Sequence, residues 1–235
     1  MLTYRNMEIK GKKMLITGAS AGLGLETAKL LLEKGAHIYV CSRASKKLEA
    51  VREEITSLTC TVLECDVTDA KAVEKLAEEV GVVDVVINNA GVWLDGELET
   101  YSYEQISRVI DVNLKGVVNI TRAFLPAMKE QDSGYIVNVS STSGLKGRKG
   151  ETVYDATKWG VRGFTEALKD ELKETKIRVV GFYPGGMNTS LFKKSGSERN
   201  TSEFMRVQDV AEVIAFILER PYSMVIDDIK VSRTR

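Results

Sequence analysis

Along this chain, short aliphatic runs alternate with longer stretches in which apolar positions return every three or four residues. The runs at residues 14–17, 37–41, 61–65, 82–87, 135–139, 177–182 and about 224–231 have the length and content of strands. The stretches at about 22–33, 48–58, 69–80, 103–129, 152–174 and 208–219 read as helices. In the first, Leu23, Ala28, Leu31 and Leu32 are available for an inner face; in the third, Val73, Leu76, Ala77 and Val80 recur at helical spacing. Strand followed by helix throughout predicts an α/β fold, a doubly wound parallel sheet of about seven strands with helices on both faces. Residues 193–203, rich in glycine and polar side chains, read as a mobile segment. No repeat or low-complexity tract divides the chain, so residues 1–235 are expected to form one domain.

Composition removes several functions. Lys plus Arg and Asp plus Glu number 33 each, so no global field points to nucleic acid or an anionic membrane. No apolar run approaches the roughly 20 residues of a membrane span, and residues 1–13 lack the apolar core of a signal peptide. Three cysteines fit a reducing cytoplasm better than a disulfide framework, which sets the expected location. Cys60 and Cys65 lie five apart on an expected strand, hence on opposite faces, and no metal site is expected. The single histidine, His37, leaves no material for a Ser-His-Asp hydrolase or a multi-histidine metal centre.

The residues with chemical promise gather where strands end. After the first strand comes Gly18-Ala19-Ser20-Ala21-Gly22-Leu23-Gly24, opening a helix. A strand, a glycine-rich turn and a helix N-terminus together offer backbone N–H groups to a pyrophosphate, as in Rossmann-type sheets. The second strand ends in Ser42-Arg43; an arginine there suits a 2′-phosphate, with a solvated charge as the alternative. The third closes on Asp66-Val67 and the fourth on Asn88-Asn89-Ala90-Gly91. Asn113 and Gly116 are poor helix formers inside a long helical stretch, which marks either a local bulge or water site or a tolerated imperfection. The fifth strand leads to Ser141. Beyond it, Tyr154 and Lys158 are four apart on a helix and share a face. An ammonium beside a phenol favours the phenolate, so the Tyr154 pKa is expected to fall, and Ser141 could hold a substrate oxygen within reach. Between them, Lys146, Arg148 and Lys149 sit on a glycine-rich loop that either makes a pocket mouth positive for an acidic substrate or is simply solvated.

These motifs resemble those of the short-chain dehydrogenase/reductase family. Thr17-Gly18-x3-Gly22-x-Gly24 is similar to its cofactor turn and Asn88-Asn89-Ala90-Gly91 to its strand-four motif. Ser141 with Tyr154-x3-Lys158 is similar to its catalytic core, and Pro184-Gly185 through Thr189 to its nicotinamide-side loop. The resemblance covers nearly the whole chain. It implies a single dinucleotide-binding and catalytic domain that transfers hydride between NADP(H), preferred over NAD(H), and a small ketone or secondary alcohol. Tyr154 would exchange the proton; Lys158 would lower its pKa and bind the nicotinamide ribose. Ser141 would position the substrate, and Asn113 would hold a water linking Lys158 to solvent. Gly18, Ser20, Gly22, Leu23, Gly24, Ser42 and Arg43 would contact the cofactor. So would Asp66 and Val67 at the adenine, Asn89, Ala90 and Gly91 at the ribose, and Pro184, Gly185, Met187 and Thr189 beyond it. Ser140 reads as structural. A homodimer or homotetramer is implied, and apolar residues beyond one stripe (Val117, Ile120, Phe124, Phe164, Leu168) are expected to supply its interface. The chain departs from the family in residues 225–229, which lack a glycine-rich ending, and in a short segment after Thr189 that implies a small lid. A cofactor-binding regulatory protein without turnover is the competing reading; an intact Ser, Tyr, Lys and Asn set argues against it.

Overall fold

The computed structural model describes residues 8–43, 45–55, 59–194, 200–221 and 223–234, without the side chains of residues 45–47 and 193–194. The end of the helix expected at 48–58 and residues 195–199 of the segment expected to be mobile lie outside the described residues. Seven strands are present: β1 (Lys13–Thr17), β2 (His37–Ser42), β3 (Cys60–Glu64), β4 (Val85–Asn88), β5 (Gly134–Val139), β6 (Ile177–Pro184) and β7 (Asp228–Val231). All pair in parallel, in the order β3-β2-β1-β4-β5-β6-β7. The order reverses between β1 and β4, which opens a crevice at their C-terminal ends.

Alternation along the strands sorts the core into two layers. Met14 and Ile16 point to one face with α1 (Gly22–Glu33), α2 (Ser45–Glu54) and α8 (Val207–Leu218). Leu15 points to the other, against α3 (Ala70–Val80), α5 (Gly116–Glu130) and α6 (Thr152–Glu171). Each of these three strand side chains is fully buried, worth about 1.5–3 kcal/mol apiece. The long helices expected beyond a single stripe prove to be core elements. Val117, Ile120, Phe124 and Leu168 are buried within the chain itself and Phe164 is half-buried, because they lie on the faces of α5 and α6 turned to the core. Val117, Ile120, Phe124 and Leu168 are therefore not free for an interface; the exposed apolar side chains of this region are Tyr103, Ile110 and Trp159.

Several boundaries move for local reasons. The strand expected at 82–87 begins at Val85; just before it, the Asp84 carboxylate accepts from Lys12 Nζ (2.8 Å) and Lys13 N (2.9 Å). The sixth strand runs on through Tyr183 and Pro184 because Lys230 and Val231 pair with them, while the last strand is only Asp228–Val231. The helix expected at 103–129 is three pieces. α4 (Tyr103–Ile110) starts with a reciprocal cap: Gln105 N donates to Ser102 Oγ and Ser102 N to Gln105 Oε1. One π turn, Asp111–Lys115, follows, and the Gly116 N–H reaches back five residues to Asp111 O before α5 begins. Gly116 packs directly on Val67, and Asn113 is turned inward with 0% exposure. The helix-breaking pair thus marks a bulge rather than an imperfection.

Candidate active site

The C-terminal strand ends wall a cavity of about 790 Å³. At one end lies the glycine turn. Gly18 has a φ of +66°, and a Cβ there would fall 2.6 Å from Ala90 Cα; one on Gly24 would fall 2.5 Å from Asn89 Nδ2. The turn is thereby pressed against the end of β4 and locked to it. Asn89 N and Ala90 N both donate to Thr17 Oγ1 at 3.0 Å, and Asn89 Nδ2 donates to Thr17 O at 2.9 Å. α1 starts after Ala21, whose side chain provides no capping acceptor. Its first-turn N–H groups and positive helix end are thus left for an anion, and Ser20, Gly22 and Leu23 line the cavity there. Thr189 leans over Gly22 from the loop after β6. A turn with no room for side chains and no cap of its own fits a dinucleotide pyrophosphate.

Beside the glycine turn, at the ends of β2 and β3, Ser42 Oγ donates to Ser20 Oγ at 3.0 Å. Arg43 and Arg108 approach the same Asp66 Oδ2, at 3.9 and 3.8 Å. Thr68 fixes the other carboxylate oxygen through its N–H and hydroxyl. Two guanidiniums around one carboxylate leave this corner positive. Arg108 lies outside the sequence expectations, because only the packing of α4 brings it to the ends of β2 and β3.

At the opposite end Ser141, Tyr154 and Lys158 come together on the cavity wall. Lys158 is 5% exposed; its Nζ donates to Val139 O at 3.1 Å and lies 5.7 Å from the centre of the Tyr154 ring. Burial pulls the ammonium down to about 8. Burial also pushes the Tyr154 phenol up to about 12, against a hydrogen bond from Ser141 and the charge of Arg148, both of which lower it. The expected depression of the phenol is thus corrected. Desolvation leads, the Glu151 and Asp155 charges add to it, and the ammonium lies over the ring with a carbonyl as its partner. Ser140 is structural: its Oγ donates to Lys158 O at 2.9 Å. Asn113 does not reach the cavity wall. Its Oδ1 accepts from Val92 N at 2.8 Å, and its Nδ2 donates to Val92 O (2.9 Å) and Thr157 Oγ1 (3.2 Å). Its side chain therefore braces the chain beside Gly91 rather than presenting a free amide. Gly24 also stays off the wall; every other expected site residue lines it.

The Tyr154 end of the cavity carries further groups that no local motif marks. Trp93 meets Phe192 of α7 (Leu191–Lys194) edge-on at 4.7 Å, and Phe192 meets Phe204 at 5.7 Å. Glu151 is buried with Ser143 Oγ donating to its Oε2 at 3.0 Å. Lys230, Ser232 and Arg233 arrive from β7 and the residues after it. All three loop cations are exposed; Lys146 and Arg148 line the cavity, whereas Lys149 points away from it and pairs with Glu97 at 3.7 Å.

Known proteins with this arrangement are oxidoreductases. The family described as short chain dehydrogenase matches residues 12–200. An oxidoreductase of Listeria monocytogenes is 35% identical over 97% of this chain and 98% of its own length. Among solved structures, the closed form of a serine dehydrogenase complexed with NADP+ is 29% identical, with a TM-score of 0.88 over 94% of each chain. A 3-ketoacyl-(acyl-carrier-protein) reductase from Brucella melitensis, complexed with NADH, is 31% identical, with a TM-score of 0.84 over 94% of this chain and 98% of its own. With the glycine cradle, the sheet order and the family match all in agreement, this chain belongs to the short-chain dehydrogenase/reductase family and is an oxidoreductase.

Proposed function

We propose that this protein moves a hydride between NADP(H) and a small ketone or secondary alcohol, with Tyr154 as general acid and base. The observation that carries the reading is that Ser141 and Lys158 flank the Tyr154 phenol in the wall of the same cavity whose far end is the glycine cradle. Bound there, the nicotinamide supplies the hydride in reduction and receives it in oxidation. Ser141 holds the substrate oxygen. A phenol at about 12 is fully protonated at neutral pH, so in reduction it is a ready donor to the oxygen on which charge develops. Lys158, close to the ring, stabilises the phenolate left behind, and its hydroxyl-binding ammonium is the group for the nicotinamide ribose. Proton replacement runs from Lys158 toward the turn that Asn113 braces. NADP(H) is favoured by Arg43, with Arg108 beside it, as partners for a 2′-phosphate.

The protein acts in the cytoplasm as a homodimer or homotetramer. Among the described residues no helix is long and apolar enough to cross a membrane, and exposed Tyr103, Ile110 and Trp159 supply apolar contact area. Sedimentation should give a species of at least twice the 26.0 kDa chain mass; a lone monomer at micromolar concentration contradicts the assembly. The function itself is tested by following nicotinamide absorbance with NADPH and a panel of ketones. Substrate-dependent loss of NADPH supports it, and cofactor binding without turnover of any carbonyl favours a regulatory protein instead.

A further inference from the structure

The cavity is cationic at both ends, and the cofactor accounts for only one. Arg43 and Arg108 serve the adenosine end. At the substrate end Lys146, Arg148, Lys230 and Arg233 line the wall, with Glu151 as the one carboxylate there among the described residues. In a chain of zero formal net charge this is a local excess, built by two separate segments.

Arg148 is the most firmly placed of the four. Its main-chain N–H donates to Asp155 Oδ2 at 2.6 Å, and its Nη2 donates to Thr142 Oγ1 at 2.7 Å. Thr142 follows Ser141 and Asp155 follows Tyr154, so this one residue is tied to the chain neighbours of both groups that meet the reacting oxygen. Its charge is felt at the phenol. Thr142 occupies one of the five guanidinium N–H donors, and a carboxylate needs two in parallel. Arg233, by contrast, is already engaged with Glu203, donating from Nη1 to its carbonyl at 3.2 Å. Glu151 is buried and held by Ser143. Trp93, Phe192 and Phe204 give the same cavity an apolar wall for the rest of a small substrate.

We propose, resting on the hydride-transfer reading, that the substrate is a small hydroxy acid or oxo acid whose carboxylate is recognised by Arg148. The carboxylate forms and breaks no bond. In oxidation the carbon-bound hydrogen leaves with its electron pair for the nicotinamide, and the hydroxyl proton goes to Tyr154 as the phenolate, whose own proton has first left to solvent, giving the oxo acid with its carboxylate intact.

The test follows oxidation of 2-hydroxybutanoate and 3-hydroxybutanoate, beside their methyl esters, with NADP+ as the hydride acceptor, in wild type and Arg148→Gln. At least one acid is expected to exceed its ester in kcat/KM by about tenfold or more in the wild type. In Arg148→Gln the loss for that acid should exceed the loss for the ester by a similar factor, mainly through KM, with NADPH affinity unchanged. High salt should erode the preference. Acid and ester used equally well, or equal losses for both, would overturn the proposal. Calorimetry of the acids with the enzyme–NADPH complex separates the two readings. Arg148-dependent binding without any turnover contradicts hydride transfer and keeps the carboxylate site. Turnover of neutral alcohols alone, with no acid bound, keeps hydride transfer and removes the site.

Discussion

Lys158 donates its Nζ to Val139 O at 3.1 Å from a position only 5% exposed. Its ammonium is held at about 8, below the unfolded value of 10.5. Between those values the unfolded chain binds a proton that the folded chain does not, so folded stability rises with pH across that window. Below it, both states are charged and the full burial penalty is present. Thermal melts of the cofactor-free protein should therefore show wild type gaining stability relative to Lys158→Met as pH rises from 7.5 to about 10. A constant difference between the two proteins would place the charged group in water.

Arg43 and Arg108 share Asp66 in the cofactor-free protein. A 2′-phosphate gives the Arg43 guanidinium an anion with three acceptor oxygens, which NADH lacks. Arg43→Ala should weaken NADPH at least about tenfold more than NADH, read by fluorescence titration. Equal losses would reduce Arg43 to a surface charge.

Gly144 and Gly163 make a matched pair. A Cβ on Gly144 would fall 2.6 Å from Ser140 Oγ and 2.7 Å from Lys158 O, whereas one on Gly163 would meet nothing within 4 Å. Gly144→Ala should destabilise by about 1–3 kcal/mol and lower kcat, because it wedges the Ser141 loop away from the turn carrying Lys158. Gly163→Ala, on an exposed stretch of α6, should stabilise by about 0.5–1 kcal/mol with kcat unchanged. Denaturant melts of both variants check the contrast; destabilisation by both, or by neither, contradicts the packing described.

Spacing in the sequence carried the topology and the site a long way. Strand runs, the glycine turn and the Tyr154–Lys158 interval all depend on local geometry, and each names residues that do meet at the strand ends. Asn113 and Gly116 both disfavour a helix and so mark the place of the π turn, but they leave a bulge and a tolerated imperfection equally open until the packing is seen. What spacing cannot convey is depth. Val117, Ile120, Phe124 and Leu168 look like a second apolar stripe, yet they lie on the inner faces of α5 and α6 and are buried within the chain. Tyr154 and Lys158 were correctly set on one face, but the direction of the phenol's shift follows from its burial. Arg108, Phe192, Phe204 and Arg233 reach the cavity through contacts far apart in sequence, and no interval marks them.

The central claim is that the Tyr154 hydroxyl carries the proton. Tyr154→Phe removes that oxygen and keeps the ring among Trp93 and Phe192. Steady-state reduction of a ketone by the folded variant should fall by about 10²–10⁴ in kcat, while its NADPH dissociation constant stays within about twofold of wild type. A Tyr154→Phe protein that binds NADPH and turns over at close to the wild-type rate would contradict the account.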